Sequence, residues 1–70
     1  MSTQQEEAAA QEVEGLIAAA PDDPVAYLLR GVMKDAKADK VGAAADLCRA
    51  VKLGSGKART MVDGAGITCP

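Results

Sequence analysis

The stretch from Asp22 to Leu53 constrains the fold more than any other part of the chain. An Asp-Asp-Pro sequence precedes one apolar run, a short polar break follows, and a second apolar run comes after it. An aspartate at the N-cap accepts hydrogen bonds from backbone N–H groups that lack a helical partner, and a proline at the first helical position loses none. The stretch therefore predicts two antiparallel helices joined by a tight turn.

The first predicted helix of this hairpin is apolar on more than one side. Leu28, Val32 and Ala36 share one side at helical spacing, and Leu29 and Met33 share another. A third side carries Tyr27, Gly31 and Lys34. A helix with several apolar sides is expected to contact more than one neighbour.

The polar break from Lys37 to Lys40 is the predicted turn, and Asp39 is the predicted cap of the second helix. Gly54 follows Leu53 as a suitable residue to end that helix. The apolar residues of the second helix form two adjacent stripes: Ala43, Leu47 and Ala50 in one, and Ala44, Cys48 and Val51 in the other.

A third helix is predicted before the hairpin, from a cap at Ser2 or Thr3 to about Ala20, where Pro21 ends it. Its expected buried stripe consists of Ala9, Val13, Leu16, Ile17 and Ala20. The expected fold is thus all-α, an antiparallel helical hairpin with an N-terminal helix and a short C-terminal helical turn or tail.

The spacing within the hairpin resembles the tetratricopeptide repeat, a helix–turn–helix unit of about 34 residues. Tyr27 matches the family's aromatic position, and Gly31 matches the small residue where the helices cross closely. Ala43 and Ala50 match the two small positions of the second helix. Leu47 matches the packing residue between them. The resemblance implies that these five residues pack inside the hairpin. It covers about one and a half repeats.

The sequence departs from the repeat at several positions. Arg30 stands where the family usually has leucine, Lys34 where it usually has an aromatic residue, and Ser55 where it has the closing proline. An alternative is a generic alanine-rich hairpin in which the matches arise by chance.

The resemblance also implies a function, because the first helix of each repeat lines a concave face that binds peptides or partner helices. In this chain that face would hold Val25, Leu28, Val32, Asp35 and Ala36. The face is largely apolar, so an amphipathic helix or an extended apolar segment is the expected ligand. Alternatively, Leu28 and Val32 contact the first helix or a second copy of the chain.

Composition favours association over independent stability. The chain has 70 residues, and its 49% hydrophobic content includes no Phe or Trp and a single Tyr. Small domains bury a small share of their surface, and aromatic residues usually supply the largest burials. We therefore expect a protein partner or a homo-oligomer. The alternative functions are a self-assembling structural unit and a small chaperone or regulatory subunit of a larger complex.

Charge and residue types argue against several other functions. The net charge of −2 does not favour nucleic-acid binding, and the absence of His removes the commonest general base and transition-metal ligand. We expect no enzyme activity, no cofactor, no metal and no small-molecule substrate. The polar, acidic start and the lack of a long apolar run predict no leader and no membrane contact, hence a cytoplasmic protein.

The C-terminal part is expected to differ from the rest. Residues 1–54 are the predicted helical domain, and residues 55–70 a flexible segment in which Ala58 to Asp63 can form a short helix. Cys48 is expected to be a small buried apolar residue. Cys69 is expected to be an exposed thiol, open to an intermolecular disulfide on oxidation.

Overall fold

The computed structural model describes residues 3–69 of the chain. It contains four helices, which we number α1 (Thr3–Ala19), α2 (Pro24–Ala36), α3 (Lys40–Lys52) and α4 (Gly56–Ala65), with no strand in the described range. The predicted all-α fold, a helical hairpin with an N-terminal helix before it, is confirmed. The hairpin is α2 and α3.

Side-chain caps fix where the last three helices begin. Asp23 accepts a 2.9 Å hydrogen bond from the backbone N–H two residues later, with Pro24 at the start of the helix. Asp39 accepts a 2.9 Å bond, and Ser55 a 3.0 Å bond, each from the N–H three residues later. Such caps contribute about 1 kcal/mol each. The two predicted caps, the aspartate directly before Pro24 and Asp39, are both confirmed.

Residues in the left-handed conformation reverse the chain after α2, α3 and α4. Their φ angles are 64° at Ala38, 102° at Gly54 and 70° at Gly66. Glycine adopts this conformation without the steric penalty of a side chain. After Gly66, the N–H of Ile67 donates a 3.0 Å hydrogen bond to the carbonyl of Val62. That turn directs the remaining residues back towards α3.

The core lies mainly between the two helices of the hairpin, with α1 packed on α2 and α4 packed on α3. Tyr27 lies at its centre with Ala50 and Ala58, and Ile17, Leu28, Val51 and Leu53 pack around them. The other buried hydrophobic residues are Val13, Ala26, Ala43, Leu47 and Val62. Because many of these side chains are alanine, the helices lie close together and little large apolar surface is buried.

Gly31 of α2 lies where the helix packs tightly against α3. A Cβ atom placed on Gly31 would lie 3.0 Å from the Leu47 side chain and 3.3 Å from the carbonyl oxygen of Ala43. A side chain at this position would therefore require Leu47 or the α3 backbone to shift, so glycine suits this tight contact between the two helices.

The buried stripe expected on α1 is narrower in the structure. Val13 is buried and Ile17 is half-buried, whereas Ala9, Leu16 and Ala20 are exposed. The expectation for these three residues is wrong. The reason is that α1 packs mainly against α2, and one main neighbour covers only a narrow strip of a helix.

The segment after residue 54 is more regular than the flexible segment that we expected. Helix α4 has ten residues, and Ala58 and Val62 are buried against the rest of the chain. The Gly-Ser-Gly sequence that suggested a flexible linker instead supplies the left-handed turn and the cap, at Gly54 and Ser55 respectively.

The two cysteines form a disulfide within the chain. Cys48 of α3 is bonded to Cys69 of the tail, with their Cα atoms 5.5 Å apart. The expectations of a small buried apolar residue at Cys48 and an exposed thiol at Cys69 are therefore wrong. The cause is the turn after α4, which brings residues distant in sequence to the same side of α3.

Candidate functional site

An apolar stripe on α2 has no covering neighbour among the described residues. Val25, Leu29 and Val32 are 55%, 43% and 42% exposed. Their spacing places them on one side of the helix, and Ala36, also exposed, lies one turn further on the same side. We call these four residues the α2 stripe. It runs along most of the helix without a charged side chain.

The residues that the sequence assigned to partner binding divide into two groups. Val25, Val32, Asp35 and Ala36 are exposed, so a partner could reach them. Leu28 is half-buried and packs against the core around Tyr27. Leu29 occupies the exposed side of α2 where Leu28 was expected. Leu29 lies four residues after Val25, and this helical spacing could have placed it beside Val25, but the sequence pattern grouped it only with Met33.

Asp35 also borders a groove beside the stripe. Its carboxylate oxygen lies 2.7 Å from the ammonium of Lys40, and both side chains are exposed, so this pair contributes little to stability. The groove has a volume of about 380 Å³ and lies between the hairpin, α4 and the tail. Its remaining lining residues are Ala43, Leu47, Met61, Ala65 and Ile67. The groove therefore has an apolar floor with one ion pair at its edge.

Four charged side chains join the first three helices. The Arg30 guanidinium donates two hydrogen bonds to Asp46, from Nε to Oδ2 at 2.8 Å and from Nη2 to Oδ1 at 2.9 Å. Its Nη1 donates to both carboxylate oxygens of Glu14, at 2.8 and 3.0 Å. The Lys34 ammonium lies 3.2 Å from Asp46 Oδ2. We call Glu14, Arg30, Lys34 and Asp46 the charged cluster.

Asp46 is the buried member of this cluster, with 5% of its surface exposed. Burial by itself raises the pKa of its carboxyl, but the hydrogen bonds and charges of Arg30 and Lys34 outweigh this effect, and the net pKa is lowered. The pKa of Arg30 is raised, chiefly by its hydrogen bond to Asp46. Both groups are therefore charged at neutral pH, which suits a structural link between helices more than proton transfer.

Replacing Asp46 with asparagine should lower the free energy of unfolding by about 2 kcal/mol at neutral pH, because Arg30 and Lys34 would then lack a counter-charge in a partly buried site. The folded-state pKa of Asp46 is lowered, so its stabilising effect is present above about pH 4 and is lost as pH falls through the folded value. Urea denaturation should therefore show a gap between wild type and Asp46→Asn that narrows in acid.

The matched control is Asp35→Asn, which removes the exposed pair with Lys40 and should change stability by less than about 0.5 kcal/mol. A gap for Asp46→Asn that stays constant from neutral to acid pH would contradict the role assigned to its carboxylate.

Within residues 3–69, no group of three or more His, Cys, Asp or Glu side chains is placed to hold a metal ion. None of the helices described for this range is both long enough and apolar enough to cross a bilayer.

No family model matches the chain, and neither a curated protein nor a solved structure matches it. The resemblance to the tetratricopeptide repeat therefore rests on the sequence positions alone. The α2 stripe and the groove beside it are the features of the structure that bear on function.

Proposed function

We propose that this chain is a non-enzymatic protein-interaction module whose α2 stripe binds an apolar helix or peptide of a partner protein. The observation that carries the proposal is the exposure of Val25, Leu29 and Val32 on one side of a helix whose other sides contact α1 and α3. Large apolar side chains grouped on one open helix face are typical of helix-binding surfaces.

The chemistry of the stripe defines the partner. With no charged group on it, the stripe fits side chains such as Leu, Ile or Val repeated at helical spacing on the partner. Completing the burial of three half-exposed aliphatic side chains contributes about 1 kcal/mol each. That sum does not offset the entropy lost when two molecules associate. The partner is therefore expected to contact the neighbouring groove and the Asp35–Lys40 pair as well.

The tetratricopeptide resemblance supports the same face of α2. The resemblance assigned five residues to partner binding, and four of them are exposed: Val25, Val32, Asp35 and Ala36. The chain has no His, and Arg30, Lys34 and Asp46 are paired with one another, which supports a non-enzymatic role.

The location proposed for this activity depends on the state of the cysteines. Structural disulfides persist in oxidising compartments and are rare in a reducing cytoplasm. We propose that the disulfide-bonded form described above belongs to an oxidising environment, and that a cytoplasmic form of the chain would carry the two thiols reduced.

The proposal is tested with a displayed library of amphipathic helical peptides, selected on the immobilised chain. Peptides so obtained should bind Val32→Asp at least about tenfold more weakly than wild type, because the substitution places a charge in the centre of an apolar contact. Affinities are measured by fluorescence anisotropy, and circular dichroism establishes that the variant remains helical.

The matched control is Val41→Asp, which makes the same change at a valine of α3 that is 84% exposed and not on the stripe. Peptide binding should be unchanged in this variant. Equal loss in both variants, or no loss in Val32→Asp, would overturn the assignment of the binding face.

Self-assembly is the second candidate, and the exposure of Leu16 and Val41 outside the stripe favours it. Light scattering on the chain without peptide separates the two candidates. A monomer at every concentration would exclude self-assembly. A dimer that Val32→Asp dissociates would assign the α2 stripe to a second copy instead of a foreign partner.

A further inference from the structure

The disulfide borders a second hollow that the proposed binding function does not use. This hollow has a volume of about 310 Å³ and lies between one side of α3 and the returning tail. Cys48, Arg49 and Lys52 line it from the helix, and Thr68 and Cys69 line it from the tail. Both cysteines are half-buried, and the volume is of the size that small-molecule sites have.

Among the described residues, the two charged side chains that line this hollow, Arg49 and Lys52, are both cationic. Lys52 follows Cys48 by one helical turn, and Arg49 is adjacent in sequence. Neither forms an ion pair within the described part of the chain, and no carboxylate side chain lines the hollow. The Arg49 guanidinium carbon lies 5.7 Å from the centroid of the Tyr27 ring, a cation–π distance that restrains the side chain. The hollow therefore attracts anions.

A disulfide beside two cations favours one kind of reaction. Thiol–disulfide exchange requires an attacking thiolate and a leaving thiolate, and nearby positive charge stabilises both. Lys52 follows Cys48 by four residues on α3, so the two side chains are neighbours on the helix surface and the Lys52 ammonium favours a thiolate on Cys48 as the leaving group. Attack is therefore expected at the Sγ atom of Cys69.

We propose that the hollow is a thiol-exchange site for small thiols that carry carboxylates, the class to which glutathione belongs. Arg49 and Lys52 bind the carboxylates, and the incoming thiolate attacks Sγ of Cys69. A new S–S bond forms between the small thiol and Cys69, the Cys48–Cys69 bond breaks, and its electron pair remains on Cys48 as a thiolate. The products are one mixed disulfide and one free cysteine, so no further oxidant or reductant takes part.

The test compares three thiols on the full oxidised chain at low ionic strength: glutathione, neutral 2-mercaptoethanol and cationic cysteamine. Rates of disulfide opening are measured by acid quenching, alkylation of free thiols and intact mass, and are corrected to equal thiolate concentration. Glutathione should react at least about tenfold faster than cysteamine, because the cations attract the strongly anionic glutathione thiolate, whereas the cysteamine thiolate also carries an ammonium and has no net charge. Added salt should reduce this preference.

Variants then assign the preference to the two cations. The double substitution Arg49→Gln and Lys52→Gln should bring the ratio of glutathione to cysteamine rates close to unity. Lys52→Gln alone, which leaves the Arg49–Tyr27 contact in place, should reduce it partly. The matched control, Lys37→Gln with Lys57→Gln, removes two exposed cations that do not line the hollow and should leave the ratio unchanged.

Peptide mass mapping supplies a second readout, since the mixed disulfide should be found on Cys69. A wild-type ratio near unity, an equal ratio in all variants, or a mixed disulfide mainly on Cys48 would each overturn the proposal. None of these outcomes bears on the α2 stripe, so the two proposals fail independently.

Discussion

Replacing Leu47 with alanine is expected to lower the free energy of unfolding by about 3 kcal/mol. Leu47 is 4% exposed and fills the contact between α3 and α2 opposite Gly31. Its neighbours along the same side of α3 are Ala43 and Ala50, whose side chains are too short to refill the space. For a domain of this size, the change should lower Tm by more than about 10 °C.

Urea denaturation followed by circular dichroism measures this effect. Leu16→Ala is the matched control, because it deletes the same atoms from a side chain that is 50% exposed and should cost less than about 1 kcal/mol. If Leu16→Ala were as destabilising as Leu47→Ala, the core would extend over α1, and the packing described for the hairpin would be wrong.

Removing the disulfide is expected to have an effect of similar size. The double substitution Cys48→Ser and Cys69→Ser should destabilise the chain by about 3 kcal/mol, because the bond closes a loop with a sequence separation of 21 and so restricts the unfolded chain. Thermal unfolding of the double variant should match that of the wild type in excess reductant.

The same experiment contains its own control, since reductant should leave the double variant unchanged. A wild type whose Tm does not move on reduction would contradict a stabilising disulfide. A double variant less stable than the reduced wild type would instead indicate that serine is poorly accommodated at one of the half-buried positions.

The sequence predicted those features of the fold that depend on neighbouring residues. The caps at Asp23 and Asp39 and the turn between them are local, and their side chains bond to backbone N–H groups two or three residues away. Helical spacing also placed Tyr27, Gly31 and Lys34 on one side of α2. These signals suffice to specify a hairpin, because each helix start is fixed by chemistry within a single turn.

Several features that depend on distant residues were not predicted. Asp46 can be buried because Arg30 and Lys34 of α2 bind its carboxylate. These two cations stand where the repeat family usually has apolar residues, and this departure was a signal for a buried counter-charge. The disulfide depends on the path of the tail after Gly66. The helical spacing of apolar residues in α1 could not predict that Leu16 is exposed, because such a pattern does not indicate how many neighbours a helix has.

The way Arg30 divides its hydrogen bonds has a consequence for the order in which the molecule opens. Nε and Nη2 bind Asp46, whereas Nη1 alone binds Glu14 of α1. Helix α1 can therefore detach without leaving the Asp46 carboxylate unpaired in the interior, and the hydrogen bonds to Glu14 that break are exposed and weakened by salt.

Local unfolding should begin with α1, and amide hydrogen exchange there should be faster than in α2 and α3. Met33 lines the same cleft as Ala10 and Glu14, so departure of α1 would uncover Met33 and widen the exposed apolar surface of α2.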